Sequence, residues 1–217
     1  LVAWLITPGM STLPSGSFET PKKGPALTFT EADWIVTLFQ TLKIDEMITK
    51  HVAIMDKYDP KKRVGLYVDE WGTWYDVEPG TNPGFLFQQN TMRDAVVAGL
   101  NLNVFHKHAE RVKMTNIAQM INVLQAMILT DKEKMLLTPT YHVFEMYKPF
   151  QNSTSLPAEL TTPDYQHGEV ALPAVSVSAA RGADGSIVVA LVNTNPNAGA
   201  TVRANIAGAK TGKVNAR

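Results

Sequence analysis

Two carboxylates, Asp69 and Glu70, close an apolar run from Val64 to Val68, and two tryptophans, Trp71 and Trp74, follow at once. The run reads as a buried strand of a parallel sheet. In α/β architectures, groups at the carboxyl ends of parallel strands face the ligand. A carboxylate placed there can serve as an oxygen nucleophile. An indole beside it offers a flat apolar platform for one face of a pyranose or furanose. Cleavage of a glycosidic bond needs that pair of features. A salt-bridged acid at a strand end with tryptophans in the core would give the same local pattern, so these residues alone leave both readings open.

Other side chains carry weaker signals. Asp69 precedes Glu70, and strand alternation sends it to the opposite face, into packing or a salt bridge. Asp76 and Glu78 fall on a Gly/Pro-rich loop, Gly72 to Pro83, and read as solvated acids. His106 and His108 have the spacing of a metal-binding pair. No third ligand is evident, so the expectation is a polar pair at a strand end and no metal or cofactor. Asn152-Ser-Thr is a glycosylation sequon, expected to be silent. The methionines sit mostly at helical core positions and imply no binding groove.

The elements that must position these residues alternate. Residues 7 to 30 are rich in Pro, Gly, Ser and Thr and read as a long loop over a site. A helix is predicted from Glu31 to Tyr58, with Trp34, Leu38 and Leu42 on one stripe, continued by Ile44, Ile48 and Met55. Thr30 and Asp33 form a capping-box pair, and Asp59-Pro60 ends the helix. After the Val64–Val68 strand, a second helix is expected from Gly84 to Ala98, stopped by Gly99. Leu102 to Phe105 then read as a strand, and Thr115 to Leu129 as a third helix. Beyond Lys134 the pattern turns antiparallel. Val170–Val177 and Ile187–Asn193 are strands around a Gly182–Gly185 turn, Thr201–Ile206 adds another, and Gln151–His167 is a linker. The expected fold class is thus α/β, with residues 1–150 as an incomplete parallel unit and 151–217 as an antiparallel β module. Two parallel strands cannot close a barrel, so the sequence reads as part of something larger.

Composition bounds the function. A hydrophobic content of 45% supports a substantial core. Lys plus Arg equals Asp plus Glu at 20 each, with no basic stripe, which argues against nucleic acid. No segment is long and apolar enough to span a membrane. The absence of cysteine excludes disulfides within the chain, fits a cytoplasmic compartment and leaves secretion open. Leu1 to Met10 reads as a strand cut mid-domain rather than a signal peptide.

Three stretches carry a resemblance: Met55-Asp-Lys-Tyr-Asp-Pro, Val68-Asp-Glu-Trp-Gly-Thr-Trp-Tyr-Asp-Val-Glu-Pro-Gly-Thr-Asn-Pro-Gly-Phe, and Asn116-Ile-Ala-Gln-Met. They resemble family 51 glycoside hydrolases. The resemblance implies the C-terminal portion of a (β/α)8 barrel followed by an antiparallel β-sandwich module. It also implies a retaining α-L-arabinofuranosidase acting on arabinan or arabinoxylan, with an arabinose-containing oligosaccharide or polysaccharide as partner and a homo-oligomeric state. Glu70 resembles the family's nucleophile, at the end of the seventh barrel strand. Trp74 matches an aromatic wall of the arabinose site, with Trp71 beside it. Gln119 matches a substrate-binding glutamine near the start of the last barrel helix. The family's acid/base lies in an Asn-Glu pair on an earlier strand. This sequence has no Asn-Glu dipeptide, and the segment that would hold it is expected before Leu1. Where the family carries His-Tyr-Tyr before the long loop, Ala3-Trp4-Leu5 stand here. The alternative function is a non-catalytic carbohydrate-binding or structural remnant that keeps the tryptophans but lacks the acid.

Overall fold

The computed structural model describes residues 2–4, 7–8, 23–208 and 212–217. Most of the long-loop expectation, including residues 9–22, and the Leu5 position lie outside the described residues. In chain order the elements are β1 (Val2–Trp4), β2 (Thr7–Pro8), α1 (Glu31–Tyr58), β3 (Leu66–Trp71), β4 (Thr73–Trp74), α2 (Met92–Lys107) and β5 (Val112–Ile117). There follow β6 (Ile128–Asp131), β7 (Lys134–Leu137), α3 (Pro139–Tyr147), β8 (Thr154–Leu156), β9 (Asp164–His167), β10 (Val170–Pro173), β11 (Val175–Arg181) and β12 (Ile187–Asn193).

The parallel sheet has the order β1-β3-β5, and the short β2-β4 pair extends it past the carboxyl end of β3. One face of β3, through Leu66, Val68 and Trp71, is buried against Ile44, Ile48 and Met55 of α1 and Ala98, Val104 and Phe105 of α2. On the other face Tyr67 and Met114 stay exposed. Helix α1 has its expected bounds because both ends are chemically marked. Thr30 and Asp33 close a reciprocal capping box, and the Asp59 N–H bonds back to the Met55 carbonyl. At the amino ends of the sheet strands, the Arg111 guanidinium is buried. It donates to Asp56 at 2.6 and 2.9 Å, to Asp59 Oδ2 at 2.9 Å and to the Val64 carbonyl at 2.8 Å, fixing the turn from α1 into β3.

Several expectations are corrected. Helix α2 begins at Met92, under a second capping box from Thr91 and Asp94, and runs through Gly99. Gly99 is a packing residue: a Cβ there would come 2.8 Å from Val192 Cγ2 of β12. Leu102–Phe105 therefore continue a helix instead of forming a strand. Thr115–Leu129 do not form a helix. Residues 112–117 are β5, and the Ala118 N–H bonds the Trp71 carbonyl at 2.8 Å. Asn122 and Leu124 then take left-handed backbone that an α-helix cannot contain. Gln151–His167 contains β8 and β9 rather than a bare linker, and Thr201–Ile206 joins no ladder.

The expected Val170–Val177 strand is two: β10 (Val170–Pro173) pairs with β9, and β11 (Val175–Arg181) lies between β8 and β12, while Ile187–Asn193 forms β12 as expected across the Gly182–Gly185 turn. They share a core with the helices: Tyr165, Leu172 and Ala174 pack with Trp34, Ile35, Leu38, Val97 and Leu100. The Trp34 indole donates to the Thr194 carbonyl at 2.9 Å.

Candidate active site

Glu70, Trp74 and Gln119 all lie at the carboxyl-terminal side of the parallel strands. Glu70 is the penultimate residue of β3, half-buried, and its carboxylate has no hydrogen-bond or ion-pair partner among the described residues. An unengaged acid at that position is free to meet a ligand. Asp69 beside it is only half-buried and, contrary to expectation, forms no salt bridge among the described residues; it accepts a hydrogen bond from the Asn116 amide at 3.3 Å.

The two tryptophans part company. Trp71 is 1% exposed, edge-on to Phe105 and stacked with Phe144. No ring face remains for a sugar, so its expected substrate contact is corrected to a core role. Trp74 belongs to the extension β4, between the buried Thr73 and Tyr75. Alternation along the extended chain therefore turns its indole to the opposite side. It is half-buried, and the Lys23 ammonium sits 3.8 Å from its ring centroid.

Gln119 does not begin a helix. It sits in the irregular segment after β5, held by its own N–H to the Val123 carbonyl at 3.2 Å and by the Met127 N–H to its carbonyl at 3.3 Å. Its exposed side chain lines an open hollow of about 630 Å³ with Asn82, Phe85 and Asn122.

Behind this segment lies a buried polar layer that no sequence pattern announced. Gln125 accepts from the Thr73 N–H at 2.9 Å and donates to the Asp94 carbonyl at 2.7 Å. The Thr73 hydroxyl donates to Asp94 Oδ1 at 2.6 Å, while Asp94 Oδ2 serves the Thr91 cap. Gln88 accepts from the Tyr75 N–H at 2.7 Å and donates to the Thr73 carbonyl at 3.3 Å. Burial pushes the Asp94 carboxyl above its ordinary range, against the hydrogen bonds from Thr73 and Thr91 that favour the anion. Arg93 is sandwiched between the rings of Phe29 and Tyr75, at 4.0 and 3.9 Å, and donates to the Pro25 carbonyl at 3.0 Å. The segment carrying Lys23 is thus pinned beside Trp74.

The remaining candidates fall away from this place. His106 and His108 end a helix rather than a strand, and they diverge. His108 Nε2 lies 2.6 Å from Asp45 Oδ1, and His106 Nδ1 lies 3.0 Å from Ser178 Oγ. Glu78 is not merely solvated, since it accepts from the Gln89 N–H at 2.9 Å. Asp76 is exposed.

The fold and site define an α/β protein with polar and aromatic groups gathered at the carboxyl ends of parallel strands, joined to an antiparallel β module. Comparisons agree. Residues 69–217 match the α-L-arabinofuranosidase C-terminal domain family. A curated relative, an intracellular exo-α-L-arabinofuranosidase of Bacteroides ovatus, is 46% identical over 192 residues, covering 88% of this chain and 37% of that protein. Among solved structures, the family 51 arabinofuranosidase of Xanthomonas axonopodis pv. citri is 57% identical with a TM-score of 0.84, covering 91% of this chain and 38% of that one. The family 51 enzyme of Bifidobacterium longum, at 22% identity and a TM-score of 0.66, shares the fold. The chain belongs to the family 51 α-L-arabinofuranosidases and corresponds to their C-terminal part, as the resemblance implied. It spans a little over a third of the length of these relatives. No helix among the described residues is long and apolar enough to cross a membrane.

Proposed function

We propose that this chain carries the nucleophile half of a retaining α-L-arabinofuranosidase site, with Glu70 as nucleophile and with Trp74 and Gln119 contacting the sugar. The carrying observation is the Glu70 carboxylate, without a partner among the described residues, at the carboxyl end of a parallel strand, with Trp74 and Gln119 at the same end of the sheet. In the reaction a Glu70 oxygen bonds to the anomeric carbon as the bond to the leaving oxygen breaks, and a second carboxyl group protonates that oxygen. Water then attacks the glycosyl ester, giving its proton to the same group, and the sugar leaves with retained configuration. In a retaining site the second carboxyl stands about 5–5.5 Å from the first. Asp69 is a poor candidate for it, because Asn116 engages its carboxylate. The family's Asn-Glu pair has no counterpart in this sequence. The substrates this reading favours are terminal α-L-arabinofuranosyl groups of arabinan or arabinoxylan type.

The test is hydrolysis of an aryl α-L-arabinofuranoside by the chain and by Glu70→Gln. The expected outcome is weak turnover by the chain, since a phenolate leaves with little acid help, and none by the variant. Turnover that survives Glu70→Gln would remove Glu70 from the role. Arabinose binding without turnover would favour a carbohydrate-binding remnant.

A further inference from the structure

We infer that Gln88 is a positioning residue for the sugar platform: its side-chain amide pairs with the backbone groups on both sides of Trp74 and sets the direction in which the indole is presented. In an extended chain, the N–H and C=O groups of alternate residues point to the same edge. Thr73 and Tyr75 therefore share one edge of β4, while residue 74 turns its own backbone groups to the edge where β2 pairs in parallel. A strand of two residues has little ladder to hold it. On the edge away from β2, Gln88 takes the place of a neighbouring strand. Its Oε1 accepts from the Tyr75 N–H at 2.7 Å, and its Nε2 donates to the Thr73 carbonyl at 3.3 Å and the Thr73 hydroxyl at 3.2 Å.

Gln88 is itself 1% exposed, so the amide has no water to exchange for these bonds. It acts on Trp74 through the backbone alone. A rotation of the chain at residue 74 would redirect the indole and break all three bonds together. The inference rests on the proposed reading of Trp74 as the sugar platform, so its test needs a readout that survives the failure of that reading.

Two variants of the full chain supply it. Gln88→Met keeps the length and removes the amide; Gln88→Glu keeps the acceptor for the Tyr75 N–H and loses the donor to Thr73. Each is labelled at Glu70 by an activated fluoro-arabinofuranoside over a range of concentrations. The Trp74 indole N–H resonance and the exchange rate of the Tyr75 amide are followed by NMR. In Gln88→Met we expect the half-saturating concentration to rise by about tenfold while the maximal labelling rate stays within about threefold. The Trp74 resonance shifts, and the Tyr75 amide exchanges faster than its neighbours in β3. Gln88→Glu restores slow Tyr75 exchange and part of the affinity. If both variants fold and leave the Trp74 resonance and half-saturation unchanged, the inference is overturned. It is equally overturned if neither folds, because Gln88 is then a folding residue only. If the unaltered chain does not label at all, the proposed function fails, and the Trp74 resonance and Tyr75 exchange decide the inference by themselves.

Discussion

Trp71 and Trp74 are the same residue type three positions apart, and the structure gives them opposite work because a single glycine separates their strands. Gly72 has a φ of 143°, and a Cβ there would press on the Ala118 carbonyl and the Gln125 amide. The strand is interrupted at that point, leaving Trp71 in the core and Trp74 half-buried on the extension β4. Trp71→Ala should therefore cost about 3–5 kcal/mol of stability, as large aromatic truncations in cores do. Trp74→Ala should cost no more than about 1 kcal/mol, as for most substitutions outside a core, and should weaken sugar binding by about tenfold. Urea melts and labelling saturation of the two variants separate these outcomes. Glu70 and Trp74 could be proposed from the sequence alone because an acid and an indole bring their chemistry with them. The split between the tryptophans was not legible, since it depends on a backbone interruption that either indole would fit. Gln88 and Gln125 were invisible for a different reason: a buried glutamine earns its place through backbone partners that no spacing reveals.

At the scale of elements, α1 was readable because its period persists over 28 residues and both ends are capped by local chemistry. Helix α2 was misplaced because Gly99 looks like a stop and Leu102 to Phe105 look like a strand. Tertiary contact overrides both signals. The strand β12 approaches so closely that only glycine fits beneath Val192. The consequence is testable. In an open helix, Gly→Ala stabilises by roughly 1 kcal/mol. Here Gly99→Ala should instead lower the melting temperature, because β-branched Val192 has few rotamers with which to move aside. A rise in melting temperature would show that β12 yields easily. The false helix at Thr115–Leu129 has another origin. Ile117, Met120, Ile121, Leu124 and Ile128 match a helical stripe by number alone. The strand pairing of residues 112–117 with β3 claims the first of them, and left-handed backbone at Asn122 and Leu124 breaks the rest.

Across the whole molecule, the antiparallel module is docked on the helices through a junction that includes the titratable His106, beside Tyr147. His106 stacks on Phe150 at 4.4 Å between centroids, meets Ser178, and uses its carbonyl to accept from the Ser155 hydroxyl. Burial lowers its pKa to about 4. The unfolded chain, with a histidine pKa near 6.5, then binds more protons than the folded one between those values. The neutral imidazole is therefore fully compatible with the fold above about pH 6.5, and the His106 contribution is progressively lost as pH falls toward 4. Stability measured by urea unfolding should drop between pH 7 and pH 5, and His106→Gln should flatten that dependence. Equal slopes in the two proteins would place the pH sensitivity elsewhere. The general plan, a parallel α/β unit before an antiparallel module, was legible from the order of periodicities. The shared core was not, because Trp34 and Tyr165 meet across more than a hundred residues of chain.

The central claim, that Glu70 is a competent nucleophile in this fold, is tested most directly by incubating the chain with an activated fluoro-arabinofuranoside and mapping the adduct by mass. The leaving group departs as a stable anion, so the bond from Glu70 to the anomeric carbon can form without an acid catalyst. One glycosyl adduct is expected, located on Glu70 and absent from Glu70→Gln. A folded chain that acquires no adduct, or acquires it on another residue, would contradict it.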